Sequence, residues 1–551
     1  MEQSFNALIE ESIKKNWDCN ALTDYKGATL QYKDVARKIE KIHIMLEASG
    51  VKKGDKIAVC GRNSSHWGVT FLAIVTYGAV VVPILHEFKA DQIHNIVNHS
   101  EAKLLFVGDV VWESLDEHQM PNIEGIIIVT DFSILVSRSE KLTYARENLN
   151  KMFGEKYPKN FRKEHIAYHK DSREELALIN YTSGSTGNSK GVMLPYRALY
   201  NNISFAFEAL KLPKNGKVVS MLPMAHMYGL AFEFLYEFCS GAQIFFLTRM
   251  PTPQIIFQAF SEVKPDLVVA VPLIIEKIIK KKILPKLETP TMRLLLKVPI
   301  VSDTIKAKVR EQMIEAFGGK FYEIVLGGAA FNAEIEAFLK SIDFPYTIGY
   351  GMTECAPLIS YADWAEFKQG SCGRPVKGME VKILSSDPEN VVGEIICRGE
   401  NVMLGYYKNP EATAAVMKDG WMYTGDLGVM DAEGNITIKG RSKNMLLGPS
   451  GQNIYPEEIE DKLNNLPYVA ESIIIQTADN KLAALIYPDF DDARAHGLDE
   501  KGIAQAMEEN RVALNTMVAA YEQVARIKIY HEEFEKTPKK SIKRFLYQDV
   551  R

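Results

Sequence analysis

Six cysteines in 551 residues, Cys19, Cys60, Cys239, Cys355, Cys372 and Cys397, include no C-x-x-C pair. That scarcity excludes a disulfide framework and a zinc knuckle and fits a reducing compartment. Surplus charge is lacking too: 65 Lys and Arg face 70 Asp and Glu, a formal net charge of −5, so the chain has no general pull toward nucleic acid. No repeat of fixed period and no low-complexity tract is visible. The N-terminus, MEQSFNALIEESIKKNW, lacks the basic, apolar and small-residue order of a secretory leader. One run without charged side chains, residues 63–85, is long enough to span a bilayer. Gly78 and Pro83 interrupt it, however, and 80–82 is a valine run suited to a buried strand. A buried helix running into a buried strand is expected, in a protein of the cytoplasm.

What is present is a globular composition, 46% hydrophobic and 25% charged, in a chain too long for one core. Short β-type runs at 56–60, 80–85, 103–107, 125–130, 218–222, 243–247 and 267–271 alternate with longer helical patterns. That alternation predicts a mainly parallel, helix-covered sheet. Residues 137–175 carry both signs of charge and few apolar runs, and read as a solvated helix and linker. After about residue 380 the texture shifts to strands at 394–398 and 436–439 around a DAEGN turn. From Tyr455 a compact pattern follows: helix 456–464, strands 472–475 and 483–487, helix 500–518. The fold class expected is α/β: a large N-terminal domain of helix-covered, mainly parallel sheets (1–442) and a small, mobile C-terminal α+β domain (443–551).

Residues 181–193, YTSGSTGNSKGVM, follow the apolar strand 176–180 and are expected to lead into a helix. Gly184, Gly187 and Gly191 let backbone N–H groups approach an anion, Thr182, Ser183, Ser185 and Thr186 add hydroxyls, and Lys190 adds charge. This is the chemistry a triphosphate needs, although the Walker A spacing is absent. No cysteine or serine sits in a nucleophile motif with a His–Asp partner, so an acyl-enzyme route has no support.

The run resembles the phosphate-binding loop of the adenylate-forming superfamily of acyl-CoA synthetases, luciferases and peptide-synthetase adenylation domains, with Ser189 where proline is common. Other motifs of that family occur in order. MLPMAHMYGL, 221–230, is similar to the acyl-pocket segment and puts His226 in its histidine position. GGAA, 327–330, resembles the loop bordering adenine, with Gly328 and Ala329. GYGMTE, 349–354, matches the aromatic–Gly–x–Thr–Glu motif. By resemblance the Tyr350 ring stacks on the purine beside Gly351, Thr353 hydrogen-bonds the α-phosphate and Glu354 holds Mg²⁺. GWMYTGDLG, 420–428, places Asp426 on the ribose hydroxyls, although YTGD alone reads as a turn. GRSK, 440–443, supplies Arg441 for ribose or phosphate and Lys443 as the hinge. GQNIYPEEIE, 451–460, looks most like the fatty acyl-CoA synthetase branch. The resemblance therefore implies ATP-dependent activation of a medium- or long-chain fatty acid to acyl-AMP, then transfer to coenzyme A.

The chain departs from the pattern near its end. The family's adenylation lysine lies within PKTxxGKIxR; here KTPKKSIKR, 536–544, puts Ser541 at that position. Either Lys540 or Lys543 takes the role, or adenylation is weak and the chain acts mainly on a preformed adenylate. Transfer to a carrier-protein thiol and a non-catalytic nucleotide sensor are the rival functions. Residues 274–297 are basic and apolar at helix-like spacing, which suits either peripheral membrane contact or a helix with a solvated lysine face. Acyl chain length and oligomeric state are not encoded in any motif found.

Overall fold

The charge-free run folds as expected. Helix Ser65–Tyr77 starts where the Ser64 hydroxyl accepts from Trp67 N, and it is buried at every residue except His66. Gly78, at φ 86°, ends the helix in the left-handed region that a side chain would disfavour. Strand Val80–Ile84 follows, buried throughout. A helix that is apolar all round must sit inside protein. No helix among the described residues is long and apolar enough to cross a membrane. The computed structural model describes residues 4–182, 189–249, 251–287, 289, 299–448, 452–537 and 541–548.

Strand Val80–Ile84 lies inside an eight-stranded sheet. Its order is Gly405–Tyr406, Lys190–Pro195, Leu176–Thr182, Val80–Ile84, Lys56–Cys60, Leu104–Val107, Gly125–Ile128 and Ile134–Ser137. The five inner strands from Leu176–Thr182 to Gly125–Ile128 run parallel, while the flanking ones pair antiparallel. A second sheet is built from Lys217–Ser220, Gln243–Phe246 and Asn20–Asp24, all parallel, closed by Thr29–Gln31. A bridge from Val218 to Leu267 joins it to the parallel trio Val268–Ala270, Ile324–Leu326 and Tyr346–Ile348. Each β-type run read in the first two thirds of the sequence is thus a strand of one of these sheets.

Two local expectations are corrected. The glycine-rich loop does not pass directly into a helix: Lys190–Pro195 returns as a strand antiparallel to Leu176–Thr182, and the helix Tyr196–Ala209 comes only afterwards. YTGD is no turn but the middle of the strand Trp421–Met430, in an antiparallel sheet with Gly393–Gly399 and Ile436–Arg441. The segment read as a solvated helix and linker contains two short helices, Glu140–Glu147 and Leu149–Lys156, whose Leu142, Ala145 and Leu149 are buried.

The smaller C-terminal domain has its own core around Ile459, Leu463, Ile474 and Met507, and a second cluster around Ile473, Leu485 and Phe534. Its strands Val469–Gln476, Leu482–Pro488 and Val524–Ile529 carry helices Pro456–Leu463 and Glu500–Met517.

Candidate active site

The glycine-rich loop is closed by the cross-strand pair Thr182–Lys190, so both residues stand at the mouth of one hairpin. Ser183, Gly184, Ser185, Thr186 and Gly187 lie outside the described residues. Gly191 is fixed by packing: a Cβ there would lie 2.9 Å from the Ile179 side chain and 3.0 Å from the Tyr181 ring.

The segment 402–407 ties the hairpin to the GYGMTE turn. Met403 N donates to Glu354 O, Leu404 N to Met193 O and Tyr407 N to Gly191 O. The result is a contact that no sequence motif announced. The buried Tyr406 hydroxyl donates to Glu354 Oε1 at 2.8 Å, while Lys190 Nζ stands 5.0 Å from the Tyr406 ring centroid. Tyr406 thereby joins the lysine of one motif to the carboxylate of another. Glu354 Oε2 has no hydrogen-bond donor among the described residues. A hard cation takes carboxylate oxygen together with phosphate oxygens and water. No group of three His, Cys, Asp or Glu gathers among the described residues. The residues present therefore fit a Mg²⁺ ion whose ligands come chiefly from a triphosphate and water, with Glu354 placed to add one carboxylate oxygen.

Asp426 and Arg441 face each other across the antiparallel pair Trp421–Met430 and Ile436–Arg441. Asp426 Oδ1 accepts from Arg441 Nε at 2.9 Å, and Oδ2 accepts from the Tyr350 hydroxyl at 2.7 Å. Burial raises the Asp426 pKa, and the Arg441 guanidinium and Tyr350 hydroxyl act against that rise. Tyr350 is itself only 6% exposed. Its hydroxyl bond to Asp426 is an orienting role that the sequence reading, which assigned only its ring, did not include. Gly351 admits no side chain, because a Cβ would come within 2.1 Å of Pro357 O. Thr353 opens the short turn Thr353–Cys355 and is buried.

Gly328, at φ 85°, and Ala329 are exposed on the loop after Ile324–Leu326. Gly327 packs against the Tyr228 ring, whose hydroxyl donates to Val325 O at 3.0 Å. Segments 221–230 and 327–330 are thus in direct contact. His226 Nδ1 accepts from Tyr228 N at 3.2 Å, which orients the half-buried imidazole at the start of the turn Met227–Leu230. Beneath it the fully buried Glu233 accepts from Met221 N and Leu222 N at 2.9 and 2.7 Å and clamps the start of the segment.

At the C-terminal end, Lys536 and Ile542 pair as antiparallel neighbours, and Thr537 N donates to Ser541 O at 2.8 Å. Lys543 is ion-paired with Glu535, and Lys536 with Glu471 and Glu533. Lys540 lies outside the described residues. Ser541 is exposed, and Lys443 is exposed in the turn after Ile436–Arg441.

A model of the AMP-binding enzyme family matches residues 9–407, well over half of the chain. The chain belongs to that family. The AMP-binding enzyme C-terminal domain matches residues 444–548. Among curated relatives of this AMP-binding enzyme is a long-chain-fatty-acid–CoA ligase, FadD15, of Mycobacterium bovis, 27% identical over 82% of this chain and 76% of that protein. A long-chain-fatty-acid–CoA ligase of Escherichia coli O157:H7 is 27% identical over 85% of this chain and 82% of its own length. The chloroplastic long-chain-fatty-acid–[acyl-carrier-protein] ligase AEE15 of Arabidopsis thaliana is 26% identical over 88% of this chain and 76% of its own. The fold is shared with MatB from Rhodopseudomonas palustris, at TM-score 0.77 and 20% identity over 100% of this chain and 99% of that one.

Proposed function

We propose that this AMP-binding enzyme is an acid–thiol ligase that activates a fatty acid as its acyl-adenylate and passes the acyl group to coenzyme A. The observation that carries the reading is the joined arrangement of Lys190, Tyr406 and Glu354 beside Asp426, Tyr350 and Arg441. It offers cationic and carboxylate groups for a triphosphate next to an oriented carboxylate suited to two vicinal hydroxyls. ATP-bound MatB and a MenE complex with ATP and magnesium share the fold, which supports ATP as the nucleotide and Mg²⁺ as its cation. The curated relatives named for long-chain fatty acids support the acid.

In the first step the fatty acid carboxylate attacks the α-phosphorus of ATP, the acyl–O–P bond forms and pyrophosphate leaves. Asp426, held by Tyr350 and Arg441, positions the ribose; Lys190 and the hairpin loop position the phosphates; Thr353 donates toward the α-phosphate. Mg²⁺, when bound at Glu354, supplies charge neutralisation of the phosphate oxygens. Because phosphoryl-type transfers need little covalent help, positioning and charge account for most of the acceleration. In the second step the coenzyme A thiol attacks the acyl-AMP carbonyl and AMP leaves. We place the domain boundary at 442/443, with the C-terminal domain turning about Lys443 between the steps.

The adenylation cation in this proposal is Lys540, since Lys536 and Lys543 are committed to carboxylates of their own domain. Acid-dependent pyrophosphate–ATP exchange tests it. Lys540→Ala is expected to slow exchange by about 10²-fold, the range seen when one transition-state donor is lost, with Lys543→Ala and Ser541→Ala near wild type. Unchanged exchange in Lys540→Ala sinks the assignment. A second acceptor has one observation in its favour, the similarity to the acyl-carrier-protein ligase. A panel of acids from acetate to palmitate, assayed for AMP release with coenzyme A or acyl carrier protein, separates the two.

A further inference from the structure

Helix Tyr32–Ala48 and the short helices Glu140–Glu147 and Leu149–Lys156 surround a cavity of about 360 Å³ that shares no lining residue with the candidate active site. The volume falls within the range of small-molecule sites. Buried Ile42, Met45 and Leu149 form its floor beside Phe132. Four cations stand on its walls: Arg37, Lys38, Lys41 and Arg146. Among the described residues none of the four belongs to an ion pair, while Lys41 Nζ donates to the neutral lining residue Asn150 at 2.9 Å. The two acids of the lining are turned to other donors. Asp34 accepts from Gln31 N at 3.0 Å, and Asp131 from the Ser133 N–H and hydroxyl at 2.9 and 2.6 Å.

This arrangement costs the protein something. Arg37 and Lys41 are like charges four residues apart on one helix, a destabilising pairing. Burial, followed by the neighbouring Lys38, Arg37 and Arg146, lowers the Lys41 pKa. Arg146 is pre-oriented: its Nε donates to Phe132 O at 2.7 Å, and its two terminal nitrogens have no acceptor among the described residues. A guanidinium fixed in this way presents a planar fork to an oxyanion. Cations without a carboxylate partner among the described residues also concentrate the field in a concave wall, here in a chain whose net charge is −5.

We propose that this cavity binds a phosphate monoester, its dianion between the Arg146 fork and Lys38 and Lys41, its carbon portion on Phe132 and Met45. Four cations against two carboxylates leave an excess that a dianion matches and a neutral ligand does not. The ester is either a free metabolite or a lipid headgroup. Titration calorimetry with hexyl phosphate, in saturating AMP to fill the nucleotide site, tests the proposal on the full chain. Wild type is expected to bind one equivalent saturably, and Lys41→Gln/Arg146→Gln to bind at least tenfold more weakly. Arg37→Gln, at an exposed position, is expected to weaken binding several-fold and serves if the double variant unfolds. Vesicles of phosphatidylcholine with phosphatidic acid that capture wild type but not the variant identify the headgroup; hexyl phosphate binding without capture identifies a free ester. No saturable binding to wild type, or equal affinity in wild type and a folded variant, overturns the proposal.

Discussion

At the scale of single residues, Tyr406 and Glu237 make opposite use of burial. Tyr406 spends its hydroxyl on a carboxylate at the site. Tyr406→Phe keeps the ring beneath Lys190 and removes only that bond, and hydrogen bonds to charged groups contribute about 1.5–3 kcal/mol. Mg²⁺-dependent ATP binding is expected to weaken about tenfold, read by calorimetry at stepped Mg²⁺ concentrations. An unchanged Mg²⁺ requirement would show that Glu354 needs no such orientation. Glu237 is wholly buried, neither of its oxygens has a hydrogen-bond partner among the described residues, and burial pushes its pKa up to about 8. The folded-state pKa lies above the unfolded value, so the native chain holds this proton more tightly. The stability it contributes is complete below the ordinary carboxylate range and is lost as pH rises toward and through 8. Glu237→Gln is therefore expected to leave the melting temperature almost unchanged at pH 5. At pH 8.5 it should gain on the order of 1–3 kcal/mol, the cost of an uncompensated buried polar group. A variant no more stable than wild type at pH 8.5 would contradict that ionisation. Neither residue was legible as special in the sequence, because Tyr406 meets partners 52 and 216 positions away and Glu237 differs from a surface glutamate only by its surroundings.

At the scale of elements, periodicity served well where strands are buried on both faces. Val80–Ile84 and Leu104–Val107 are continuous apolar runs, and continuous runs mark strands covered by helices. It failed for Lys190–Pro195, where a lysine, a glycine and a terminal proline hide a strand whose partner is the segment just before the loop. It failed again at Trp421–Met430, whose two internal glycines read as turn signals; in the strand Gly425 takes a φ of 73° and Gly428 allows the close approach of Thr437 O. Gly351 shows how tightly such positions are set. Gly351→Ala would drive a methyl group into Pro357 O, so a loss on the order of 2–4 kcal/mol is expected in thermal unfolding, together with loss of AMP binding. A variant that melts and binds AMP like wild type would mean that the turn relaxes freely.

At the scale of the whole molecule, the two domains meet through Asn332. Its N–H donates to Glu276 Oε1, its Oδ1 caps the helix Ala333–Ser341, and its Nδ2 donates to Asp461 Oδ1 at 3.0 Å and Asn465 Oδ1 at 2.6 Å. Lys280 adds a bond to Asn464 O, so part of the basic helix read from the sequence serves the other domain rather than solvent. Asn332→Asp preserves the cap but sets a carboxylate against Asp461. Proteolysis within the 442–444 turn is expected to accelerate about tenfold, with helix content unchanged by circular dichroism. Equal cleavage rates would show that this contact does not hold the domains. The motifs pointed to a nucleotide and an acid, but nothing in a single sequence announces which side chains two domains share.

The stitching of residues 402–407 onto the hairpin also has a consequence for synthesis. All the other strands of the eight-stranded sheet lie before residue 196, yet the edge beside Lys190–Pro195 is supplied only by Gly405–Tyr406. A nascent chain leaving the ribosome therefore carries an open strand edge through some two hundred further residues, the kind of edge that pairs with other chains when left bare. Long-range closure comes late, because chain entropy is lost before the contact rewards it. The groups on Lys190, Tyr406 and Glu354 come into register only at that closure, so truncated products of translation would be sticky and inert.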